Sequence, residues 1–185
     1  MKHIFLILII CTILITSCAK DKAPDPFLIE KHHIGLLTDS TQVKDLDAVF
    51  SNDSVVRYIA GDEFAGAVNT IEVFEKNGNK LLNLSPKEAL DSTSVISSVR
   101  IIDKRYKTEK NISKLSTFKD IKEAYKISKI DNLINSVVVS VNDIDASFTI
   151  DKNELPASLR FNMDMTIDPI QIPEKARIKF FILHW

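Results

Sequence analysis

The sequence predicts an α+β protein, in which a helix followed by three or four antiparallel strands occurs twice and the helices pack on one face of the sheet. Two segments, 41–50 and 116–125, have the apolar spacing of amphipathic helices. Several later stretches alternate apolar and polar residues, as half-buried strands do. The two halves also resemble each other at a fixed offset of 75 residues.

The internal similarity is clearest between "LLTDSTQVKDLDAVFSNDSV" at 36–55 and "NISKLSTFKDIKEAYKISKI" at 111–130. Any two amphipathic helices share this apolar spacing, so agreement outside the helices carries more weight. A hydroxyl residue that can cap the helix precedes each one, Thr41 in the first half and Ser116 in the second. We therefore predict two α+β repeats.

The repeats are assigned to residues 27–103 and 104–185, which together form one compact domain. "EKN" at 75–77 and "DKN" at 151–153 recur at an offset of 76, in the strand-rich stretch after each helix. This second correspondence supports the same division of the chain.

The first repeat continues from its helix into a hairpin over residues 70–84. Asn77-Gly78 favours a two-residue type I′ turn, because both positions of that turn need positive φ angles. "SPKEAL" at 85–90 has the cap, the early proline and the acidic residue of a short helix start. Residues 95–102 read as another strand.

The second repeat contains neighbouring strands at 136–141 and 146–151. "LRFNMDMTID" at 159–168 alternates apolar and polar residues most regularly, which predicts a strand with one face on the core. The last stretch, 176–185, is apolar on both faces and is expected to be central or covered.

The start of the chain has the layout of a secretory signal peptide. Lys2 and His3 precede twelve almost uniformly apolar residues at 4–15, which is fewer than the roughly 20 that span a bilayer. Residues 1–17 are therefore predicted to be a cleaved signal peptide, and 18–26 a flexible, proline-containing tether.

Ile15, Thr16, Ser17 and Cys18 resemble the lipobox of bacterial lipoproteins. The resemblance implies cleavage before Cys18 and a membrane anchor through lipid on its sulfur. Cys11 leaves with the signal peptide, so lipidation also explains an otherwise unpaired thiol. An ordinary secreted protein or an uncleaved anchor are the alternatives. Ala19, where inner-membrane lipoproteins carry Asp, favours the outer membrane by the same resemblance, with the membrane face undetermined.

Composition excludes some function classes. The chain has 24 Lys and Arg against 25 Asp and Glu, and removing 1–17 takes one lysine and no acid. The near-neutral balance speaks against nucleic acid as a partner. Four scattered glycines cannot form a phosphate-cradling loop, so a nucleotide is not expected either.

The contact site predicted from the sequence is the loop around "AGDEFAGAV", which combines glycines, acids and an aromatic residue. Tyr58, Asp62, Glu63 and Phe64 are its candidate contact residues, although a plain connection is the alternative. No catalytic set, metal site or cofactor is predicted.

Other polar clusters receive structural interpretations. His32-His33 reads as a solvated pair, and the close pair Asp143 and Asp145 reads as a turn. A triad built on His184 lacks a nucleophile elbow.

The organisation of residues 35–50, repeated less faithfully at 112–125, resembles the tandem-repeat domain of β-lactamase-inhibitor-like proteins. More loosely, it resembles small outer-membrane lipoproteins that assist envelope assembly. The resemblance implies a sheet that binds a partner. We therefore expect a lipid-anchored envelope protein that binds a protein or envelope partner; a hydrolase of envelope peptide or polysaccharide and a purely structural lipoprotein are the alternatives.

Overall fold

The protein is mainly β, as seen in a computed structural model that describes residues 25–60, 68–161 and 165–185. Its strands are Leu28–Glu30 (β1), His33–Ile34 (β2), Leu37–Thr38 (β3), Asp53–Ala60 (β4), Val68–Glu75 (β5), Lys80–Pro86 (β6), Ile96–Ile101 (β7), Lys107–Thr108 (β8), Lys129–Asn132 (β9), Ser136–Val141 (β10), Ala146–Asp151 (β11) and Ile178–His184 (β12). The predicted signal peptide and lipobox, and most of the predicted tether, lie outside the described residues.

The strands form two sheets. The large sheet is antiparallel, with the order β4-β5-β6-β7-β12-β11-β10-β9. The small sheet has the order β3-β2-β1-β8 and is mixed, because β1 pairs with β8 in parallel and with β2 antiparallel. As expected, the strand near the end of the sequence, β12, lies at the centre of the large sheet.

One face of the large sheet, here called the inner face, carries the core. A continuous row of apolar side chains crosses all eight strands in register, consisting of Val55, Val73, Leu82, Ile101, Phe181, Phe148, Val139 and Ile130. Successive residues of a strand point to opposite sides, so each strand contributes alternate residues to this row and its neighbours. The phenyl rings of Phe148 and Phe181 have centroids 4.6 Å apart, which locks the middle of the row.

The helices are short. They are Leu46–Val49 (α1), Phe118–Ala124 (α2) and Ala157–Arg160 (α3), with 3-10 turns at Val43–Asp45, Asn142–Ile144, Lys152–Glu154 and Pro169–Gln171. Leu46, Phe118 and Leu159 are buried in the same core cluster as the inner face. In the described ranges, no helix combines the length and apolar character needed to cross a membrane.

The predicted α+β class is therefore corrected to a mainly β fold. The helix expected over 41–50 is reduced to one 3-10 turn and the four residues of α1. A helix this short is not stable alone, and here Arg57 of β4 holds it by a bidentate contact with Asp47 at 2.7 and 3.4 Å. Tertiary contacts, and not helix propensity, set its length.

The second helix is longer because it is capped. The sequence points to Ser116 as the cap, but the cap is Thr117, which forms a capping box with Asp120. The Asp120 carboxylate accepts from the backbone N–H and the hydroxyl of Thr117 at 2.7 and 2.9 Å. Ser116 instead accepts from the backbone N–H of Ser113 at 3.1 Å.

The strand predicted over 159–168 is wrong for the residues that the structure describes. Residues 157–160 form α3, and Pro169–Gln171 is a 3-10 turn capped by Asp168. Phe161, which the alternation would bury, is 87% exposed. The flanking prolines and the Asp168 capping box favour turns over an extended strand.

The helix start predicted over 85–90 is also absent. The chain stays in β6 through Pro86, and Lys87 and Glu88 then donate their backbone N–H groups across to Val95 and Ser94. Leu90 adopts a positive φ of 64°, which is incompatible with a helix. Long-range hydrogen bonds thus replace the local ones that the sequence suggests.

The predicted hairpin over 70–84 is confirmed as β5 and β6, but its turn differs. Gly78 has a φ of 91°, whereas Asn77 is not in the left-handed region. The Gly78 N–H donates to the Glu75 carbonyl at 2.8 Å, and Glu75 donates to the Asn79 carbonyl at 2.9 Å. The connection is therefore a three-residue loop in which a left-handed glycine follows a turn.

Hydrogen bonds in the two halves correspond at the offset of 75. Thr38 donates its N–H to the Thr41 hydroxyl, as Ser113 does to Ser116. Likewise, Val43 donates to Ser94, and Phe118 donates to Ala176. Each half contributes four consecutive strands to the large sheet, and the two sets meet where β7 pairs with β12.

Candidate functional site

The face of the large sheet opposite the core, here called the outer face, is the best-exposed extended surface for a partner. Its central row crosses the eight strands in register through Val56, Glu72, Asn83, Arg100, Ile182, Ser147, Ser140 and Lys129. Tyr58, Phe74, Phe180 and His184 lie on the same side. The apolar members of this face lie outside the core cluster to which the helices contribute.

Tyr58 is the one predicted contact residue that the structure describes. It lies in β4 and not in a loop, which corrects that assignment, and its side chain is 50% exposed. Asp62, Glu63 and Phe64 lie outside the described residues. Alternation along β4 puts Tyr58 and Val56 on the outer face, and Arg57 on the inner side with α1.

Arg100 and Phe180 form the centre of the outer face. The guanidinium carbon of Arg100 lies 3.8 Å from the centroid of the Phe180 ring, a cation–π arrangement. Arg100 comes from β7 and Phe180 from β12, so the contact bridges the junction between the two halves. Stacking holds the flexible arginine side chain flat against the sheet.

Two buried polar atoms sit at this centre without a hydrogen-bond partner in the described part of the chain, Asn83 Oδ1 and Arg100 Nε. The two residues face each other directly across β6 and β7. Most buried polar atoms in folded proteins are hydrogen-bonded, because an unpaired one costs stability. The outer face therefore combines aromatic, aliphatic and unsatisfied polar groups.

A second charged cluster borders this centre. Lys80 forms an ion pair with Glu72 at 2.6 Å and lies 5.2 Å from the centroid of the Phe74 ring. These contacts neutralise the charges pairwise, so the face is mixed and not strongly basic or acidic. Such a surface suits a protein partner better than a polyanion.

His184 and Ser147 form the one feature that a hydrolase would need. The Ser147 hydroxyl lies 2.7 Å from His184 Nε2 on the outer face. Burial lowers the pKa of His184, while the nearby Asp145 acts in the opposite direction. Ser147 is buried, however, and the Asp145 carboxylate pairs with Lys31 at 3.2 Å. The geometry supplies neither an accessible nucleophile nor a carboxylate hydrogen bond to orient the histidine.

The remaining histidines have simple roles. His32 Nδ1 lies 3.1 Å from the Asp39 carboxylate, and His33 contacts Glu30 on the neighbouring strand position. The predicted turn at 143–145 is confirmed as a 3-10 turn that ends at Asp145 with a φ of 46°. Across residues 25–60, 68–161 and 165–185, no three His, Cys, Asp or Glu side chains are grouped so as to hold a metal ion.

The sequence interpretation missed Arg100 and Phe180 because it treated the strands as core elements. The available signal was the residue that alternates with the apolar ones: Arg100 follows Val99 in β7, and Phe180 precedes Phe181 in β12. Which of two adjacent phenylalanines faces outward depends on the strand register, and the register is a tertiary property.

Comparisons with known proteins give a fold but no function. No family model and no curated protein matches the chain. A crystal structure of the uncharacterized protein YfeY from Escherichia coli is similar, with a TM-score of 0.58, 12% identity, and coverage of 85% of this chain and 99% of that chain. The resemblance to β-lactamase-inhibitor-like proteins therefore stays a prediction.

Proposed function

We propose that this protein is anchored in the outer membrane through lipid on Cys18 and that its folded part binds a protein partner of the cell envelope through the outer face. The observation that carries the binding proposal is the Arg100 and Phe180 pair at the centre of an uncovered mixed face. Arginine and aromatic residues are enriched in the buried centres of protein interfaces. The lipobox resemblance at 15–18 supports the anchor.

The arrangement of the two halves supports a shared binding surface. We propose that 27–103 and 104–185 are copies of one unit, because their hydrogen bonds correspond at the offset of 75. Joining the copies through β7 and β12 places the Arg100 and Phe180 contact across the junction. The proposed contact centre therefore requires both halves.

A face-specific crosslinking experiment tests the binding proposal. A photoreactive amino acid is placed in the intact protein at Val56 or at Arg57, adjacent exposed positions on opposite sides of β4. We expect a crosslink of defined mass to one envelope protein from position 56 only. Arg100→Ala should weaken that crosslink, because truncating a central interface arginine typically costs about 2 kcal/mol or more of binding energy.

The control is Lys122→Ala on α2, which removes an exposed cation that pairs with Glu174 on the core side of the sheet. It should leave the crosslink unchanged. Equal crosslinking from positions 56 and 57 would contradict a face-specific partner. An absence of crosslinks from both positions would favour the structural lipoprotein.

The anchor and location are tested separately. Mass analysis of the N-terminal peptide should find an acylated cysteine at position 18, and Cys18→Ala should release the protein from membranes. Protease treatment of intact cells then distinguishes the two faces: digestion places the domain outside, and protection until the outer membrane is opened places it in the periplasm. An unmodified Cys18 would overturn the anchor.

A further inference from the structure

A pocket of about 270 Å³ lies on the core side of the molecule, apart from the outer face. It opens between the segment before β1, the end of α1 and the β5–β6 hairpin. Its lining consists of Pro26, Phe27, Ile34, Leu36, Val49, Phe50, Ser51, Asn52, Asp53, Glu75, Leu81 and Tyr106. At about 30 Å³ for each water in the liquid, this volume suits a ligand of roughly ten non-hydrogen atoms.

The lining is apolar and aromatic, and its charges are all negative. Phe27, Phe50 and Tyr106 supply three aromatic rings, and Phe27 meets Tyr106 edge to face with centroids 5.1 Å apart. Asp53 and Glu75 are the charged residues of the lining, which contains no lysine or arginine. Aromatic faces and carboxylates both attract cations, whereas an anion would find no positive partner there.

The two carboxylates differ in how they are neutralised. Asp53 and Glu75 face each other in register across β4 and β5, where like charges repel. Glu75 pairs with Arg105 at 2.7 Å and accepts from the side chains of Asn77 and Asn79 at 3.1 and 3.2 Å. Within the described part of the chain, Asp53 has no side-chain hydrogen bond or ion pair of this kind.

The environment of Asp53 disfavours its charge. Burial raises the pKa of Asp53, and the neighbouring Glu75 raises it further, while Lys76 and Arg105 act in the opposite direction. Burial and the charge of Asp53 also raise the pKa of Tyr106. The Asp53 carboxylate is therefore partly desolvated and uncompensated, a state that a bound cation would relieve.

The pocket wall is held in place by close packing. Gly35 lies between the lining residues Ile34 and Leu36 and adopts a φ of 57°. A Cβ atom on Gly35 would lie 2.4 Å from the carbonyl oxygen of Pro26, so only glycine permits this approach of the two segments. Tyr106 is buried at 3% exposure behind Phe27, which fixes the opposite wall.

We propose that this pocket binds a small organic cation, in which an ammonium group meets Asp53 and an apolar body of roughly ten non-hydrogen atoms fills the space between Phe27, Phe50 and Leu81. A neutral hydrocarbon of the same size would leave the Asp53 carboxylate desolvated without a partner. A carboxylate or phosphate ligand would add to the repulsion from Asp53 and Glu75. Only a cation uses both the rings and the free acid.

The test compares two probes of nearly equal shape, cyclohexylammonium and cyclohexanol, bound to the full-length protein in lipid nanodiscs. Methyl NMR of Leu81 and Val49 reports occupation of the pocket. We expect saturable shifts of these methyls with cyclohexylammonium and an affinity about tenfold weaker for cyclohexanol. Cyclohexanecarboxylate should not shift them.

Asp53→Asn supplies the matched variant, since it keeps the shape and removes the charge. It should weaken cyclohexylammonium binding about tenfold and leave cyclohexanol binding unchanged. Asp131→Asn is the control, because Asp131 lies on β9 and pairs there with Lys129 at 2.6 Å. Unchanged methyl signals of Ile112 and Ile121 verify that each variant is folded.

Val49→Phe is a second variant, which fills the pocket and keeps Asp53. It should abolish the shift of Leu81 with either probe. Equal affinity for the ammonium and the alcohol, or an Asp53→Asn variant that binds cyclohexylammonium as tightly as the unmodified protein, would overturn cation recognition. An absence of saturable shifts with cyclohexylammonium would overturn the site itself.

Discussion

Single residues illustrate how backbone and burial constraints act in this molecule. Gly35 and Gly78 both have positive φ angles, 57° and 91°, but their surroundings differ. At Gly35 an added Cβ meets the Pro26 carbonyl, whereas at Gly78 nothing lies within 4 Å of it. The two glycines therefore separate steric overlap from the conformational cost alone.

Gly35→Ala is expected to lower the free energy of unfolding by about 3 kcal/mol or more, because it adds a backbone clash to the cost of a positive φ. Gly78→Ala should cost only about 1 kcal/mol, since it adds conformational strain in open space. Urea unfolding of both variants measures the difference. Equal losses would mean that the segment around Pro26 can move away.

Lys152 is a buried cation with no hydrogen-bond partner for Nζ among the described residues, at 5% exposure. Its backbone N–H donates to Asn135, so the main chain is held independently of the ammonium group. Lys152→Met keeps the length of the side chain and removes the charge, and we expect it to stabilise the protein by about 1 to 3 kcal/mol.

The control for this prediction is Lys179→Met, which removes an exposed ion pair of 2.8 Å with Asp151. That change should lower stability by no more than about 1 kcal/mol. Thermal and urea unfolding report both variants. A loss of stability in Lys152→Met would show that the ammonium group contributes favourably.

His184 predicts a pH dependence. Burial lowers the pKa of His184 below its ordinary value of 6.5, whereas the unfolded chain keeps that value. The folded state therefore binds fewer protons in this window, and the free energy of unfolding falls as the pH drops from 6.5 through the folded pKa. His184→Gln should reduce the loss in this range.

The measurement is an NMR titration of the His184 ring, combined with urea unfolding at several pH values. Ser147 holds Nε2 at 2.7 Å, so its hydroxyl signal should change with the same midpoint. A His184 midpoint at or above 6.5 would contradict the expected direction of the shift.

Among the elements, α2 shows how local sequence determines structure when it closes its own hydrogen bonds. Asp120→Ala removes one side of the capping box with Thr117 and should cost about 1 kcal/mol of stability. Lys119→Ala, which removes only an exposed contact with Glu123 at 3.7 Å, should change stability by less than about 0.5 kcal/mol. Equal effects would argue that the cap is not formed in solution.

The elements also show where sequence prediction succeeds. β10 and β11 have the bounds read from their alternation, and the hairpin of β5 and β6 follows from its glycine-containing turn. The alternation at 159–168 was misleading, because Leu159 and Ile167 are buried from a helix and a loop and not from one strand. Periodicity identifies buried residues but cannot distinguish the backbone that delivers them.

The candidate site was less predictable for the same reason. Tyr58 could be selected from the sequence as an exposed aromatic residue, but the Arg100 and Phe180 pair requires the register between β7 and β12. These residues are 80 positions apart, and no local pattern encodes their contact.

For the whole molecule, the junction of β7 and β12 is the most consequential packing site. Phe181 is fully buried there, faces Ile101 and stacks with Phe148. Phe181→Ala should destabilise the protein by about 3 to 5 kcal/mol. Ile130→Ala, in the same apolar row but at the edge strand β9, should cost less, and urea unfolding measures both. Similar losses would argue against a tightly packed junction.

The same junction sets the order in which the chain can fold. Strands within each half are neighbours in sequence, whereas pairing Ile101 with Phe181 closes a loop of 80 residues and should be slow. Until it forms, β7 and β11 present unpaired edges to other chains. Misassembly during refolding should therefore rise with protein concentration and begin by exchange of β12 between molecules, a swap made in the middle of the sheet and not at its outer edges.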